Sequence, residues 1–427
     1  MLVKKKVHIQ LSDLITCLSD VIDLVNPALF NHHQRVAYVA YSVAAQLGLP
    51  QKQRNELLLA GKLHDIGALS SQERMQTMQF EFHNPHSHAE MGWRLLSSFE
   101  PLAGVADIIR FHHVRSDDGA GRLRQGGGVP FGSHILHLAD RVAVLLRTSG
   151  NVLGQRKRIC RQIEAQSRGM FMPEVVAAFL KLSQKEYFWL DLVAPALDSF
   201  LHRRVKLEAI ELDMSGLLSL SRIFSRIIDF RSRFTATHSS GVAASASALA
   251  KLAGCSEREC DMMKVAGYLH DLGKLAVPAE ILEKPGGLTR RQQDVVRCHP
   301  FYTYRTLERI GEMTTINSWC SFHHERLDGS GYPFHLKQAD LSLGSRIMAV
   351  ADVFTAITED RPYREGMSTD GALAVLYDMV EADALAANVV SLLVENFDEI
   401  NTVRITAQAA AVHEYHQLHH KLETCRT

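Results

Sequence analysis

The chain has 427 residues, room for two or three domains of ordinary size, and an apolar fraction of 46% excludes a disordered polymer. Lys plus Arg and Asp plus Glu each number 47, so the formal net charge is zero. That balance excludes a broad cationic surface for long DNA or RNA and leaves room only for a local basic pocket. The seven cysteines are odd in number and scattered, which excludes a paired disulfide framework and fits a reducing cytoplasm.

The N-terminus, MLVKKKVHIQLSDL, starts basic, but polar residues interrupt it before a signal-peptide core forms. No apolar run reaches the ~18 residues of a membrane span, so none is expected. VAYVAYSVAAQLG (36–48) has apolar residues at helical spacing and ends at a glycine suited to a C-cap. AGKLHDIG (60–67), His88, HHVRSDDGAG (112–121) and LADRVA around Asp140 follow, and a first domain is expected to end near residue 150. Residues 151–205 read as helical, either completing the first domain or forming a connector to the second. The second half opens near 206 with the helical segment LEAIELDMSGLLSLSRIFSRIIDF and continues through VAASASALAKLAG to AGYLHDLG (266–273). Alternating or β-branched runs bounded by turns are few, so strands should be scarce and the fold all-α.

Aligned on itself, the chain repeats. His64-Asp65 and His270-Asp271 lie 206 positions apart, and His32 and His238 each precede them by 32. His88 precedes His112-His113 by 24, and His299 precedes His323-His324 by 24. Asp140 and Asp352 close the two sets inside apolar stretches. Seven matched positions in one order indicate a duplicated domain, with insertions such as GLTRRQQD (287–294) expected in loops.

In a helical domain, such residues can project from facing helices into one interior site. Five imidazoles and two carboxylates without a thiolate suit iron, manganese or other divalent ions better than a closed structural zinc site. Seven donors exceed one tetrahedral ion, so two divalent ions sharing Asp271 as a bridge are expected. Two such ions can activate a water and clamp an in-line displacement at phosphorus. Lys274, three residues after Asp271, can neutralise a phosphate oxygen, whereas its counterpart in the first half is Ala68. GSGYP read alone is a turn, and HEYHQLHHK (413–421), with His413, His416 and His420 on one helical face, reads as a solvated or partner-facing stripe.

YLHDLGK (268–274), CHP (298–300), HHERLDGSGYP (323–333), ADVFTAIT (351–358) and RPYR (361–364) together resemble the HD-GYP family of bacterial phosphodiesterases over about residues 215–400. The first half resembles the wider HD superfamily over about residues 20–147, without GYP or RPYR, and HHVRSDDGAG looks like an eroded form of the loop. The resemblance implies a degenerate HD domain over 1–150, the connector over 151–205, and an HD-GYP catalytic domain with a helical tail over 206–427. It implies one metal held by His238, His270, Asp271 and Asp352, and a second held by Asp271, His299, His323 and His324. A glutamate that holds a third metal in some members is Phe234 here, which favours two. Lys274, Arg361 and Arg364 match positions that bind substrate phosphate or guanine, and Gly331, Tyr332 and Pro333 form the loop expected to add recognition beside the metals.

The activity implied is hydrolysis of a cyclic dinucleotide, cyclic di-GMP or 3′3′-cyclic GMP-AMP, to a linear 5′-phosphorylated dinucleotide, with Asp271 and Lys274 as the catalytic pair. His32, His64, Asp65, His88, His112, His113 and Asp140 form the corresponding set for a second metal site. That half can be read as a 5′-nucleotidase, as a nucleotide-binding domain, or, more plainly, as a scaffold that supports a homodimer. A cyclic-dinucleotide receptor with a non-catalytic metal site is the alternative for the whole chain.

Overall fold

The structure, a computed structural model, describes residues 9–24, 31–82, 84–117, 128–147, 150–194, 197, 201, 210–230, 237–284, 286–360 and 365–423, excepting the side chains of 71 and 419–423. Phe234, Arg361 and Arg364, residues 118–121 of the eroded loop, and the His420 side chain therefore lie outside the described residues. The expectation of scarce strands holds. Among the described residues, one antiparallel pair, Ile9–Gln10 with Glu211–Leu212, accompanies the helices. None of the described helices is long and apolar enough to cross a membrane.

The duplication is visible in matched helices. His32–Gln46 and His238–Leu252 have the same length, as do Gln51–Leu63 and Glu257–Leu269. Gly48 and Gly254 follow the first helix of each pair with φ of 75° and 81°, and the next N–H bonds back to Ala44 O and Ala250 O at 3.0 Å. This is the glycine cap expected from the sequence. Ser256 starts the helix Glu257–Leu269 with a capping box: its N–H donates to Glu259 Oε2 at 2.8 Å while its Oγ accepts from Glu259 N.

The paired helices cross closely because a glycine faces an alanine. A Cβ at Gly267 would lie 2.4 Å from Ala243 Cα, and one at Gly61 would lie 2.4 Å from Ala37 Cα. The close crossing brings the histidine at the C-terminal end of one helix beside the histidine that opens the other.

The chain divides into two compact units elsewhere than expected: Met1–Val25 with Glu211–Thr427, and Asn26–Ile210. The leading helix Leu11–Asp23 thus belongs with the second copy. Its buried face of Leu11, Leu14, Ile15, Leu18 and Ile22 packs on the turn Leu272–Ala276 and the helix His299–Leu307. Cys17 Sγ donates to Thr306 O at 3.1 Å, and Arg309 meets Asp20 at 2.6 Å.

Of the two readings of the segment after residue 150, its described helices follow the first and complete the N-terminal unit. The helices Val152–Ala165, Pro173–Ser183 and Glu186–Leu192 pack into the N-terminal unit, where Arg35 donates to Leu192 O at 3.0 Å and Tyr38 to Asp191 at 2.8 Å. In the C-terminal unit the long helix Phe397–Glu423 covers His238–Leu252. GLTRRQQD, expected as a loop, instead starts the helix Arg290–Arg297, because Thr289 and Gln292 form a capping box.

Candidate metal centre

In the C-terminal unit all seven expected donors converge. His238 opens its helix, His270 caps Glu257–Leu269, His299 opens the next ligand helix, His323 and His324 follow Thr314–Ser321, and Asp352 lies within Leu343–Thr358. Gly273 makes this possible. A Cβ there would lie 2.0 Å from His299 O, so glycine alone lets the third ligand helix approach the His-Asp turn.

His238 Nε2 lies 3.1 Å from Asp352 Oδ1, His270 Nε2 lies 3.2 Å from Asp271 Oδ2, and His299 Nε2 lies 3.2 Å from Asp271 Oδ1. His299 and His323 bring their Nε2 atoms to 3.3 Å, and His324 Nδ1 stands 3.8 Å from Asp352 Oδ2. His238, His270 and Asp352 form one potential ion-holding group, His299, His323 and His324 another, and His270, Asp271 and His323 join them. Asp271 thus reaches both sides with its two oxygens.

The backbone orients most of these rings. His270 Nδ1 lies 2.8 Å from Gly267 O, His299 Nδ1 lies 2.7 Å from Val296 O, and His323 Nδ1 meets Cys320 O. A carbonyl only accepts, so the proton sits on Nδ1 and the Nε2 lone pair faces the centre. His238 is oriented by a side chain instead: Glu359 Oε2 lies 3.2 Å from its Nδ1 and accepts from Gln408 Nε2 at 3.1 Å. Glu359 and Gln408 were missed in the sequence. The i−3 spacing of the carbonyls is regular, but nothing in the spacing of Glu359 and Gln408 links them to His238.

The donor set fits a metal on two observations. His270 Nε2 and Asp271 Oδ1 are buried and make no hydrogen bond, an arrangement costly without a cation. The electrostatics agree. Burial alone would raise the Asp271 pKa, but His270 and then Lys274 hold it well below the carboxylate range. Burial and the neighbouring His324 keep His323 well below the usual imidazole value, and burial pushes His324 down to about 3. Burial would lower the His238 pKa, but Glu359 and Asp352 reverse this and hold it at about 10. The ionised Asp271 and the neutral His323 and His324 are in the protonation states that metal binding requires, whereas at His238 a metal would displace the proton that Glu359 and Asp352 hold there. Lys274 Nζ lies 2.6 Å from Asp271 Oδ2, and that carboxylate raises its pKa against the effect of burial.

The N-terminal unit brings together its own seven. His32 Nε2 lies 3.4 Å from Asp140 Oδ1, His64 Nε2 lies 3.4 Å from Asp65 Oδ2, and His88 Nε2 lies 3.2 Å from Asp65 Oδ1 and from His113 Nε2. His32, His64 and Asp140 form one potential ion-holding group and His88, His112 and His113 another. His64 Nε2, His112 Nε2, Asp65 Oδ1 and Asp140 Oδ1 are buried without a hydrogen bond. The first copy carries a cation of its own at a different carboxylate. Ala68 leaves Lys274 unmatched, but the buried Arg141 donates to Asp140 Oδ2 and ties it to Thr77 O at 2.9 Å. Sequence alignment misses this cation because it comes from another helix and neutralises the other carboxylate.

Tyr332 packs its ring 4.8 Å from the His324 ring, so the GYP loop does stand beside the donors. His413 and His416 are exposed, and His413 pairs with Gln417 at 2.7 Å. No ion-holding group includes them among the described residues.

The family model described as HD domain matches residues 16–158 and again 222–385. A 3′3′-cGAMP-specific phosphodiesterase of Vibrio cholerae is 30% identical over 398 residues, covering 91% of this chain and 92% of the relative. The chain belongs to the HD domain family. The GYP sequence, Gly331-Tyr332-Pro333, lies within the second matched segment. The cyclic di-GMP phosphodiesterase response regulator RpfG of Xanthomonas campestris is 39% identical over 166 residues, 37% of this chain and 42% of the relative. The fold is shared with a solved cyclic GMP-AMP specific phosphodiesterase of V. cholerae, at a TM-score of 0.60 and 22% identity over 95% of this chain and 98% of the other.

Proposed function

We propose that this HD-GYP protein is a metal-dependent phosphodiesterase that hydrolyses a cyclic dinucleotide to a linear dinucleotide bearing a 5′ phosphate. The observation that carries the reading is the convergence of seven N/O donors around Asp271, with the Lys274 ammonium on the same carboxylate. The relative matched over nine-tenths of the chain is specific for 3′3′-cGAMP, which favours that substrate over cyclic di-GMP.

His238, His270, Asp271 and Asp352 would hold one divalent ion and Asp271, His299, His323 and His324 a second. The absence of thiolates favours iron or manganese. When bound, such a pair supplies Lewis acidity and lowers the pKa of water at neutral pH. The chain's own contribution is positional. The helix-end carbonyls and Glu359 fix the imidazoles, and Asp271 spans both donor groups. Lys274 stays charged and offers positive charge where phosphate oxygens gather negative charge. The reading extends to a cytoplasmic enzyme, with a homodimer as its expected assembly.

The test is incubation of the full chain with Mn²⁺ and each cyclic dinucleotide, followed by separation of products. The linear 5′-phosphorylated dinucleotide is expected, and His270→Ala/Asp271→Ala should abolish it. Tight binding without product from any substrate would favour a receptor, and activity surviving the double substitution would sink the site assignment.

A second reading concerns the N-terminal unit. Its donor set is retained beside a cavity of about 230 Å³ lined by Phe82, His113, His137 and Arg141, which favours a nucleotide-binding or 5′-nucleotidase role over a bare scaffold. His64→Ala/Asp65→Ala should then let the linear product accumulate. Unchanged final products at unchanged rates would leave the scaffold role.

A further inference from the structure

The helix Arg290–Arg297 ends two residues before His299. Across from it the GSGYP loop is folded back. Buried Glu325 accepts from the N–H of Phe334 at 2.7 Å and of Leu336 at 3.0 Å, and Asp328 accepts from Ser330 N at 2.8 Å. Between helix and loop lies a cavity of about 430 Å³, lined by Leu288, Gln293, Val296, Arg297, Arg326 and Tyr332 among others. That volume falls in the range of small-ligand sites. Tyr332 joins the cavity to the metal donors. Its ring lies 4.8 Å from the His324 ring, and the Arg297 guanidinium stands 4.5 Å from its centroid.

We propose that this cleft is the subsite for one purine base of the substrate and that Arg297 selects guanine there, an inference that rests on the phosphodiesterase reading above. Arg297 is held by an aromatic ring, so its position is set, and among the described residues its N–H fork faces no acidic partner. A guanidinium only donates. Guanine presents O6 and N7 as adjacent acceptors, whereas adenine places an amino donor beside N7. Arg297 therefore forms two hydrogen bonds with guanine and meets a donor on adenine. Gln293 adds the complementary group: its Nε2 donates to Leu288 O at 3.4 Å, leaving the amide oxygen to accept from a guanine N–H. Leu288 and Val296 supply apolar wall, and Arg326 adds a second positive charge. The cleft exists because GLTRRQQD forms a helix, and that insertion and the GYP loop are both absent from the first half.

The test compares the full chain with Arg297→Ala and Arg297→Lys on cyclic di-GMP, 3′3′-cGAMP and cyclic di-AMP. KM and kcat are measured with Mn²⁺, and equilibrium binding is measured in EDTA, where cleavage stops. Arg297 is exposed, so both variants should fold. The expected result is a loss of about 5–150-fold in KM and binding for the two guanine-bearing ligands with Arg297→Ala. Cyclic di-AMP should change little, and Arg297→Lys should not restore the preference. Equal losses on all three ligands would make Arg297 a phosphate contact and overturn the inference, as would a native chain without base preference. A chain that cleaves nothing but binds guanine ligands through Arg297 would keep the inference and sink the catalytic reading. Cleavage whose base preference ignores Arg297 would do the reverse.

Discussion

Replacing Gly273 by alanine tests whether the metal centre depends on one close backbone contact. The added Cβ would lie 2.0 Å from His299 O, 2.8 Å from His299 C and 3.0 Å from His299 Cα. All three are backbone atoms, so no side chain can rotate away. Ordinary contact begins at 3.4 Å, so the start of the helix His299–Leu307 must retreat by 3.4 minus 2.0, about 1.4 Å. Metal–ligand distances tolerate only about 0.2 Å, and a misplacement of about 1 Å costs on the order of 100-fold in rate. Overpacking adds about 1–3 kcal/mol of lost stability. The expected outcome for Gly273→Ala is a folded chain with reduced metal content and cyclic-dinucleotide turnover down about 100-fold. Elemental analysis of the purified protein, product separation and thermal melting check the three parts. Gly67→Ala is the internal comparison, since its Cβ would lie 2.1 Å from His88 O in the N-terminal unit. It should lower metal content while leaving cleavage of the cyclic substrate in place. Full metal occupancy and native turnover in Gly273→Ala would refute the reasoning.

Three further outcomes are expected. Glu359→Gln removes the carboxylate that lies 3.2 Å from His238 Nδ1, and about 10–100-fold in metal affinity or activity should be lost, measured by metal titration and turnover. Leu18→Ala empties a fully buried position on the leading helix and should cost about 2–5 kcal/mol, with exchange protection lost in the C-terminal unit rather than in Asn26–Ile210. The metal-free chain should melt lower as pH falls from about 6.5 towards 4. Half-buried His324 and buried His137, pushed down to about 3, stay neutral when folded but take up protons once unfolded, at about 1.4 kcal/mol per pH unit each. His238, held at about 10, acts in the opposite window: its contribution is full below 6.5 and is lost as pH rises through about 10. A melting temperature flat from pH 6.5 to 4 would count against these burial assignments.

Much of the site was legible because the duplication sampled it twice. His32 and His238 recur at the same offset as His64-Asp65 and His270-Asp271, and the helices between them match in length. What escaped were contacts made by residues remote in sequence and without a repeated partner. Glu359 reaches His238 across 121 positions, and Gln408 reaches Glu359 across 49. Arg141 is hidden for a related reason: its charge meets Asp140, whereas the cation of the second copy stands beside Asp271, the counterpart of Asp65. GLTRRQQD reads as loop because the Thr289–Gln292 capping box sits on a short, polar helix with no buried face.

The all-helical class, the two donor sets and their order are written along the chain, because ligand spacing and helical period are local and leave a pattern there. Packing settles which copy owns the leading helix, which of the two readings of residues 151–192 holds, and that a helix and the GYP loop enclose a cleft at Tyr332. Those outcomes depend on which buried face finds which neighbour. The apolar pattern of Leu11–Asp23 shows that this helix must be covered, and it carries no information about which surface covers it.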